Sequence, residues 1–101
     1  MAKPQPLSPD EAKEKILLIL CEGIIKPTFH CRRDSMAERN VNDDDIAEAL
    51  ENGEVQQQPE WESNHQNWKY TIVGRDTDDD KLTLITVIIE SDLTLRIVTV
   101  W

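Results

Sequence analysis

Hydrophobic positions along the chain follow two different periods. From Ile16 to Leu20, and again from Ile46 to Leu50, apolar residues recur at the spacing that is typical of one buried helix face. After Gly53 the period becomes two and β-branched residues predominate, which is typical of strands. Helices in the first half of the chain, followed by strands in the second half, predict an α+β domain.

Capping residues give the boundaries of two helices. Ser8 as N-cap, with Glu11 three residues later, forms a capping box that begins the first helix, and Gly23 ends it. Asn42 is the N-cap of the last helix, whose acidic first turn suits the helix dipole, and Gly53 ends that helix.

The intervening stretch FHCRRDSMAERN, residues 29–40, predicts a second helix. Its apolar content is low. Phe29, Met36 and Ala37 are expected to face the core, and Val41 closes the apolar face just beyond the end of the helix.

The second half of the chain contains four predicted strands. They are residues 54–57, 68–76, 81–90 and 93–101. Turn-forming residues at 76–80 and 91–92 join the last three as an antiparallel meander, and the apolar run within 81–90 marks a central strand covered on both faces. Residues 24–27 are expected to be a connector and residues 58–66 a polar loop. The predicted fold therefore has N-terminal helices packed on a four-stranded antiparallel meander sheet.

The length and charge of the chain limit how many domains it can form and which partners it can bind. A chain of 101 residues has room for a single domain, predicted at residues 8–101, preceded by a flexible N-terminal arm at residues 1–7 with two prolines. Neither a signal peptide nor a membrane-spanning run is present, which favours the cytoplasm and no membrane partner. The formal net charge of -9 favours basic partners, so nucleic-acid binding needs a local basic patch.

The thiols and the acidic turn do not suggest a cofactor. Cys21 and Cys31 are ten residues apart without a CxxC pair, which favours two structural thiols. The alternating acids Asp76, Asp78 and Asp80 lack the glycine and the final glutamate of a calcium loop, so they are interpreted as a solvated turn. The sequence predicts neither a metal nor a cofactor.

Basic and aromatic residues form the remaining candidate site. The set comprises His30, Arg32, Arg33, Arg39, Trp68, Lys69, Tyr70 and Arg75, with Arg96 in the last strand. Arg32 and Arg39 are seven residues apart and would share one helix face, while Trp68 and Tyr70 could offer an aromatic platform on a strand. The competing interpretation is that Arg39 pairs with a nearby aspartate and that both aromatic residues belong to the core.

The order of four motifs resembles a known bacterial family. SMAERNV, DIAEALENGEV, NWKYTIVGRD and the closing IVTVW, within residues 29–101, are similar to domain-of-unknown-function family 4258. This resemblance implies a fold like that of the RelE and MqsR toxins, which cleave messenger RNA without a metal. It also implies a zinc-finger or helix-turn-helix antitoxin as partner, and RNA or the ribosome as target. His30 lies six residues before Met36, where the family histidine usually lies five before.

Two hypotheses for the function follow. In the first, the chain is a toxin-like RNA-binding or ribonuclease domain of a toxin–antitoxin system. His30, Lys69 and Tyr70 would be catalytic, and RNA would be bound by Arg32, Arg33, Arg39, Trp68 and Arg75. In the alternative, the chain is a non-catalytic acidic interaction module that binds a basic partner, for example as an inhibitor or nucleic-acid mimic.

Overall fold

The computed structural model describes residues 4–101 as helices packed on one face of a mixed sheet. The helical elements are α1 (Pro9–Glu22), a π-helix (Cys31–Met36) continued by α2 (Ala37–Arg39), and α3 (Asp43–Asn52). The strands are β1 (Ile24–Pro27), β2 (Glu54–Val55), β3 (Glu60–Glu62), β4 (Asn67–Arg75), β5 (Lys81–Ile89) and β6 (Thr94–Val100). A short 3-10 turn, Glu90–Asp92, joins the last two strands. The predicted α+β class is confirmed.

The predicted capping box at Ser8 is present, and the predicted N-cap Asn42 also forms a capping box. The Ser8 hydroxyl accepts the Glu11 N–H at 3.2 Å, and the Glu11 carboxylate accepts the Ser8 N–H at 2.9 Å. Asn42 and Asp45 make the same reciprocal pair at 2.9 and 3.1 Å. Because these side chains satisfy backbone donors that the first helical turn leaves unpaired, α1 and α3 begin where the sequence predicts.

The second helix differs in type from the prediction. Residues Cys31–Met36 are π-helical, and the helix ends at Asn40, which adopts the left-handed conformation with φ of 60°. The Val41 N–H donates to the carbonyl oxygen of Met36, five residues earlier, at 2.9 Å. Together with the hydrogen bond from the Asn40 N–H to the Ala37 carbonyl oxygen, at 3.3 Å, this bond forms a Schellman motif that ends α2. Within the π-helix itself, backbone hydrogen bonds span five residues, so residues five apart come close to one face.

This helix type changes which residues are buried. Cys31 is fully buried, Met36 and Val41 are nearly so, and these three positions are spaced by five. Phe29 is 76% exposed and Ala37 is exposed, so the prediction that they face the core was wrong. An α-helical period was assumed there, and Cys31 was not among the residues expected to face the core.

The sheet has more strands than predicted. Its order is β1-β6-β5-β4-β2, with β3 also paired to β4. β1 runs parallel to β6, and the other pairs are antiparallel. The predicted four-stranded antiparallel sheet is thus corrected to a mixed sheet, because residues 24–27 and 60–62 are strands too short to show a period of two.

One hydrophobic core lies between the helices and the sheet. It contains buried residues of every helical layer and of alternate strand positions: Ala12, Ile16 and Ile19 of α1, Cys31 and Met36 of the π-helix, Ile46, Ala49 and Leu50 of α3, and Tyr70, Ile72, Leu82, Leu84, Leu95, Ile97 and Val100 of the sheet. Gly74 lets α3 lie directly on β4, because a methyl group there would overlap the carbonyl oxygen of Ala49.

The two long helices are joined by a lysine. Lys13 Nζ donates to the carbonyl oxygens of Leu50 at 2.8 Å, Glu51 at 2.8 Å and Gly53 at 2.6 Å. These carbonyls end α3, where a cation is favoured by the helix dipole. No helix in the described part of the chain is long and apolar enough to cross a bilayer. Of the predicted arm at residues 1–7, residues 1–3 lie outside the described residues.

Candidate functional site

The two faces of the sheet differ in what covers them. Strand alternation places Tyr70 and Ile72 of β4 towards the helices and Lys69, Thr71 and Val73 on the opposite face. All helical elements contribute their buried residues to the core on the first side. The second side of the sheet is called the open face below. The described helices pack on the first side, so the open face is the surface available to a ligand.

Register brings three basic residues into one row across the open face. Lys26 of β1 is opposite Arg96 of β6, Arg96 is opposite Val87 of β5, and Val87 is opposite Lys69 of β4. Neighbouring strands are about 4.8 Å apart, so the backbone positions of Arg96 and Lys69 are about 10 Å apart. We call Lys26, Arg96 and Lys69 the basic row. Beyond Lys69, the row continues to Glu60 of β3.

The basic row has no acidic counterpart in contact. None of its three side chains forms a salt bridge within residues 4–101. Lys26 and Arg96 are like charges directly opposite each other, an arrangement that destabilises a sheet. Val87 between the strands is only 6% exposed yet lies outside the core cluster. Lysine and arginine side chains can lay their aliphatic carbons along a sheet while their charged ends stay in water. Such a surface is suited to anions.

An aromatic residue and two further cations lie on the same face. Trp101 and Thr83 exchange both backbone hydrogen bonds, at 2.8 and 3.0 Å, so their side chains share the open face. Trp101 is 57% exposed. At the end of the sheet, Arg75 is opposite Lys81, beside a polar groove of about 750 Å³. The Arg75 guanidinium also donates to the Asp79 carbonyl oxygen at 3.0 Å.

The basic residues of the second helix are instead paired with acids. His30 Nδ1 is 2.8 Å from the Asp34 carboxylate, and Arg33 donates two hydrogen bonds to that same carboxylate at 3.0 and 3.2 Å. The hydrogen bond from Arg33 holds the pKa of Asp34 below its usual value. Arg32 pairs with Asp43 at 3.2 Å. These pairs are exposed, so each stabilises the fold little.

Arg39, another predicted RNA-binding residue, contacts a distant strand, and Arg33 makes a second contact besides its salt bridge. Arg39 donates to the carbonyl oxygen of Lys81, which links α2 to the beginning of β5. Arg39 and Trp101 also line one shallow surface groove. The Arg33 guanidinium lies 5.4 Å above the ring of Phe29, within the range of a cation–π contact. The alternative that Arg39 pairs with an aspartate is not what the structure shows.

Tyr70 and Trp68 lie on the helix side, away from Lys69. The Tyr70 hydroxyl accepts the Leu7 N–H at 2.9 Å, and burial raises the pKa of Tyr70. Trp68 is partly buried against the core and packs edge-on against Trp61, with ring centroids 5.1 Å apart. The structure therefore separates Lys69 from Tyr70 by the thickness of the sheet and does not bring the two together with His30.

Thiol or metal chemistry gains no support from the geometry. Cys31 is fully buried, and this burial raises the pKa of its thiol, which disfavours a nucleophilic thiolate. Cys21 and Cys31 are both free thiols. In the acidic turn, the Asp76 carboxylate accepts the N–H groups of Asp78 and Asp80, each at 2.9 Å, as in a solvated turn. Among residues 4–101 no group of three potential ligands could hold a metal ion.

The sequence interpretation missed most of the basic row. Lys26 was placed in a connector, and Arg96 was included in the same set as Lys69 but was given no role in binding RNA. Alternation along β6 could have placed Arg96 on a solvent face, but the parallel pairing of β1 with β6 joins residues 70 positions apart. No local pattern reports such a contact.

Comparison with other proteins gives one match. No curated protein and no solved structure matches the chain. The family model described as "Domain of unknown function (DUF4258)" matches residues 28–101, which contain the π-helix, α3 and strands β2 to β6. Since the match covers well over half of the 101 residues, the chain belongs to the DUF4258 family.

Proposed function

We propose that this domain binds RNA on the open face of its sheet, as a toxin-like RNA-binding or ribonuclease domain of a bacterial toxin–antitoxin system. The observation that supports the proposal best is the basic row. Three cations cross the sheet in register without a salt bridge, in a chain whose acids outnumber its bases by 20 to 11. Only Lys69 has an acid, Glu60, in the opposite position, and no carboxylate of the described residues is within salt-bridge distance of the three cations. The row can therefore accept an anion without first breaking an ion pair.

The open face offers the contacts that single-stranded RNA needs. Arg96 and the two lysines suit phosphate oxygens, Arg in a fork and Lys as a point charge. Trp101 provides an exposed ring on which a base can stack, a contact worth about 1–3 kcal/mol per base. Trp101 and Arg96 replace Trp68 and Tyr70 in this role, because the latter pair faces the helices.

A RelE/MqsR-like cleavage reaction is the catalytic form of this proposal. His30 follows the edge strand β1 and lies in the helix layer, so an RNA strand bound on the open face would have to pass around that edge to reach it. Asp34 holds Nδ1 of His30, so Nε2 can accept the proton of a ribose 2′-hydroxyl. The 2′-oxygen then attacks the adjacent phosphorus and the bond to the 5′-oxygen breaks, which gives a 2′,3′-cyclic phosphate. The leaving 5′-oxygen takes a proton from water to become a 5′-hydroxyl end, and His30 returns its proton to solvent. This step uses no metal. The antitoxin would be of the zinc-finger or helix-turn-helix type, and the reaction would take place in the cytoplasm.

A salt titration tests the proposed surface. Binding of a fluorescent single-stranded RNA is measured by anisotropy for the protein and for a variant with Lys26→Gln, Lys69→Gln and Arg96→Gln. Three phosphate contacts predict a slope of log affinity on log salt near -2, or about 20-fold weaker binding between about 50 and 200 mM salt. The variant should lose most of this slope.

A matched variant removes the same charge elsewhere. Lys15→Gln, Arg32→Gln and Arg33→Gln neutralise three exposed or half-exposed cations off the open face. We expect this control to bind RNA nearly as the parent does. If the control loses binding and the basic-row variant keeps it, the helix site is correct and the open face is not. Growth arrest with loss of bulk messenger RNA on induction, abolished by His30→Ala, would support the catalytic form.

One observation favours the alternative of an acidic interaction module. The Asp45 carboxylate accepts the Thr77 N–H at 3.0 Å, which holds the Asp-rich turn next to the acidic beginning of α3. Asp43, Asp44 and Asp78 are exposed there and form one acidic surface that suits a basic partner. Binding of a basic protein, lost when Asp43 and Asp44 are changed to Asn, together with no RNA binding by the parent, would favour this function.

A further inference from the structure

The beginning of the described chain lies across two aromatic side chains of β4. The indole N–H of Trp68 donates to the Pro4 carbonyl oxygen at 2.8 Å, and the Leu7 N–H donates to the Tyr70 hydroxyl at 2.9 Å. Leu7 also packs against the core. Residues 4–7 are therefore held by specific contacts with residues more than 60 positions away.

The sequence of this segment restricts its backbone to an extended form. Pro4 and Pro6 have a fixed φ, and Gln5 precedes a proline, which favours the polyproline II region. Ser8, which follows, has φ of -65° and ψ of 162°. A polyproline II segment has no internal hydrogen bonds, so its carbonyl oxygens are available to a donor such as the Trp68 indole.

The segment leaves part of its groove unfilled. A groove of about 280 Å³ remains beside the segment, and its lining includes Trp68, Tyr70, Ile88 and Glu90. Trp61, edge-on against Trp68, supports the indole ring. Aromatic grooves with a tryptophan donor are the usual receptors for proline-rich segments, and the acidic side chain at the rim suits a basic residue beside the prolines.

The groove and its occupant belong to different parts of the chain. Trp68, Tyr70 and Ile88 lie within residues 28–101, which match the family, whereas residues 4–7 precede that match. The walls thus lie within the matched residues, whereas the proline segment, like α1, precedes them. This groove is also on the helix side, so it is distinct from the open face and the basic row.

We propose that the groove between Trp68, Tyr70 and Ile88 binds a proline-containing, extended segment of a partner protein, and that residues 4–7 occupy it in cis. The cis segment competes because its effective concentration is high, and a partner segment binds when the cis segment leaves. The recognised chemistry is a polyproline II backbone with an aliphatic residue after the prolines, as in Pro4 to Leu7.

The test uses a variant without residues 1–6 and an acetylated peptide that copies residues 4–9. The Trp68 indole N–H signal in a nitrogen–proton NMR spectrum, assigned with Trp68→Phe, reports occupancy. Removing the segment should shift this signal, and the peptide should return it towards the parent position with saturation. If the cis segment fills the groove about three quarters of the time, the peptide should bind the shortened protein about fourfold more tightly than the parent.

Two controls make each outcome decisive. A peptide with glycine in place of Pro4 and Pro6 should bind much more weakly, and equal binding would overturn the proposal. In a full-length variant with Pro4→Gly and Pro6→Gly, residues 4–7 should bind the groove more weakly although the chain is not shortened. This variant replaces the shortened protein in the experiment if the shortened protein unfolds. An indole signal that does not move in either variant, or no response to millimolar peptide, would also overturn the proposal.

Discussion

Asp45 should contribute more to the stability of the fold than the other acidic residues of α3, because its carboxylate is buried and hydrogen-bonded. It is 6% exposed. Its carboxylate accepts the Asn42 N–H at 3.1 Å and the Thr77 N–H at 3.0 Å, and it also accepts the Thr77 hydroxyl. The perturbation is Asp45→Asn, which keeps the shape and removes the charge.

The expected cost follows from these contacts. An amide has one acceptor oxygen and a donor NH₂ group, so at least one backbone N–H of Asn42 or Thr77 loses its acceptor. A hydrogen bond to a charged group contributes about 1.5–3 kcal/mol. We therefore expect Asp45→Asn to lower the free energy of unfolding by about 2 kcal/mol at neutral pH, a decrease of roughly 1–2 M in the urea midpoint.

The effect should depend on pH in one direction. Hydrogen bonds from Thr77 hold the pKa of Asp45 below its usual value in the folded state. The stabilisation is then complete above the unfolded pKa of about 3.9 and is lost as the pH falls through the lower folded pKa. Since the amide does not titrate, the difference between parent and variant should shrink below about pH 4.

Urea unfolding followed by circular dichroism at neutral and acidic pH measures both quantities. Asp44→Asn is the matched control, because Asp44 is in the same helical turn but exposed. The control should cost less than about 1 kcal/mol, through the helix dipole alone. Equal losses in the two variants, or a loss for Asp45→Asn that persists unchanged at acidic pH, would refute the assignment of this stability to the buried carboxylate.

Two further changes probe how the helices lie on the sheet. Lys13→Met keeps the side-chain length but removes the donor to three carbonyls at the end of α3, so the urea midpoint should fall by an amount equivalent to about 1–3 kcal/mol; an unchanged midpoint would contradict this. Gly74→Ala places a methyl group against the Ala49 carbonyl and should cost about 1–3 kcal/mol, with the shift of α3 visible as altered NMR signals of that helix. A variant as stable as the parent would show that α3 can move away without cost.

Elements with local signals could be predicted from the sequence. The capping box at Ser8 and the N-cap at Asn42 act within three or four residues, so the beginnings of α1 and α3 could be predicted and are confirmed. The three long strands likewise follow their period-two patterns within one or two residues at each end. In these segments local preference and tertiary packing agree.

Elements that depend on distant partners could not be predicted. β1 has four residues and pairs with β6, and β3 has three residues and pairs with β4. Such short segments have no measurable period, and only the neighbouring strand makes them strands. The π-helix did leave a signal, since the buried positions Cys31, Met36 and Val41 are spaced by five, but an α-helical period conceals it.

The same distinction between local and distant signals applies to the candidate site. The sequence grouped Arg32 and Arg39 because they are seven residues apart on one predicted helix face. In the structure Arg32 pairs with Asp43, and Arg39 donates to the carbonyl oxygen of Lys81. The basic row was not visible because it is created by register alone. Lys26, Arg96 and Lys69 are far apart in sequence and meet only when three strand pairs align.

The strand register also explains how a chain with a negative net charge can bind an anion. At physiological salt the Debye length is about 8 Å, so charges on opposite sides of a domain hardly influence each other. The shorter dimensions of this domain are 24 and 25 Å, and the acidic surface at the beginning of α3 belongs to the helix layer, away from the open face. Net charge then affects solubility and long-range encounter, while binding on the open face depends on the few charges within a Debye length of it. Under this argument, adding acids to the helix layer should barely change RNA affinity, whereas one acid in the basic row should reduce it strongly.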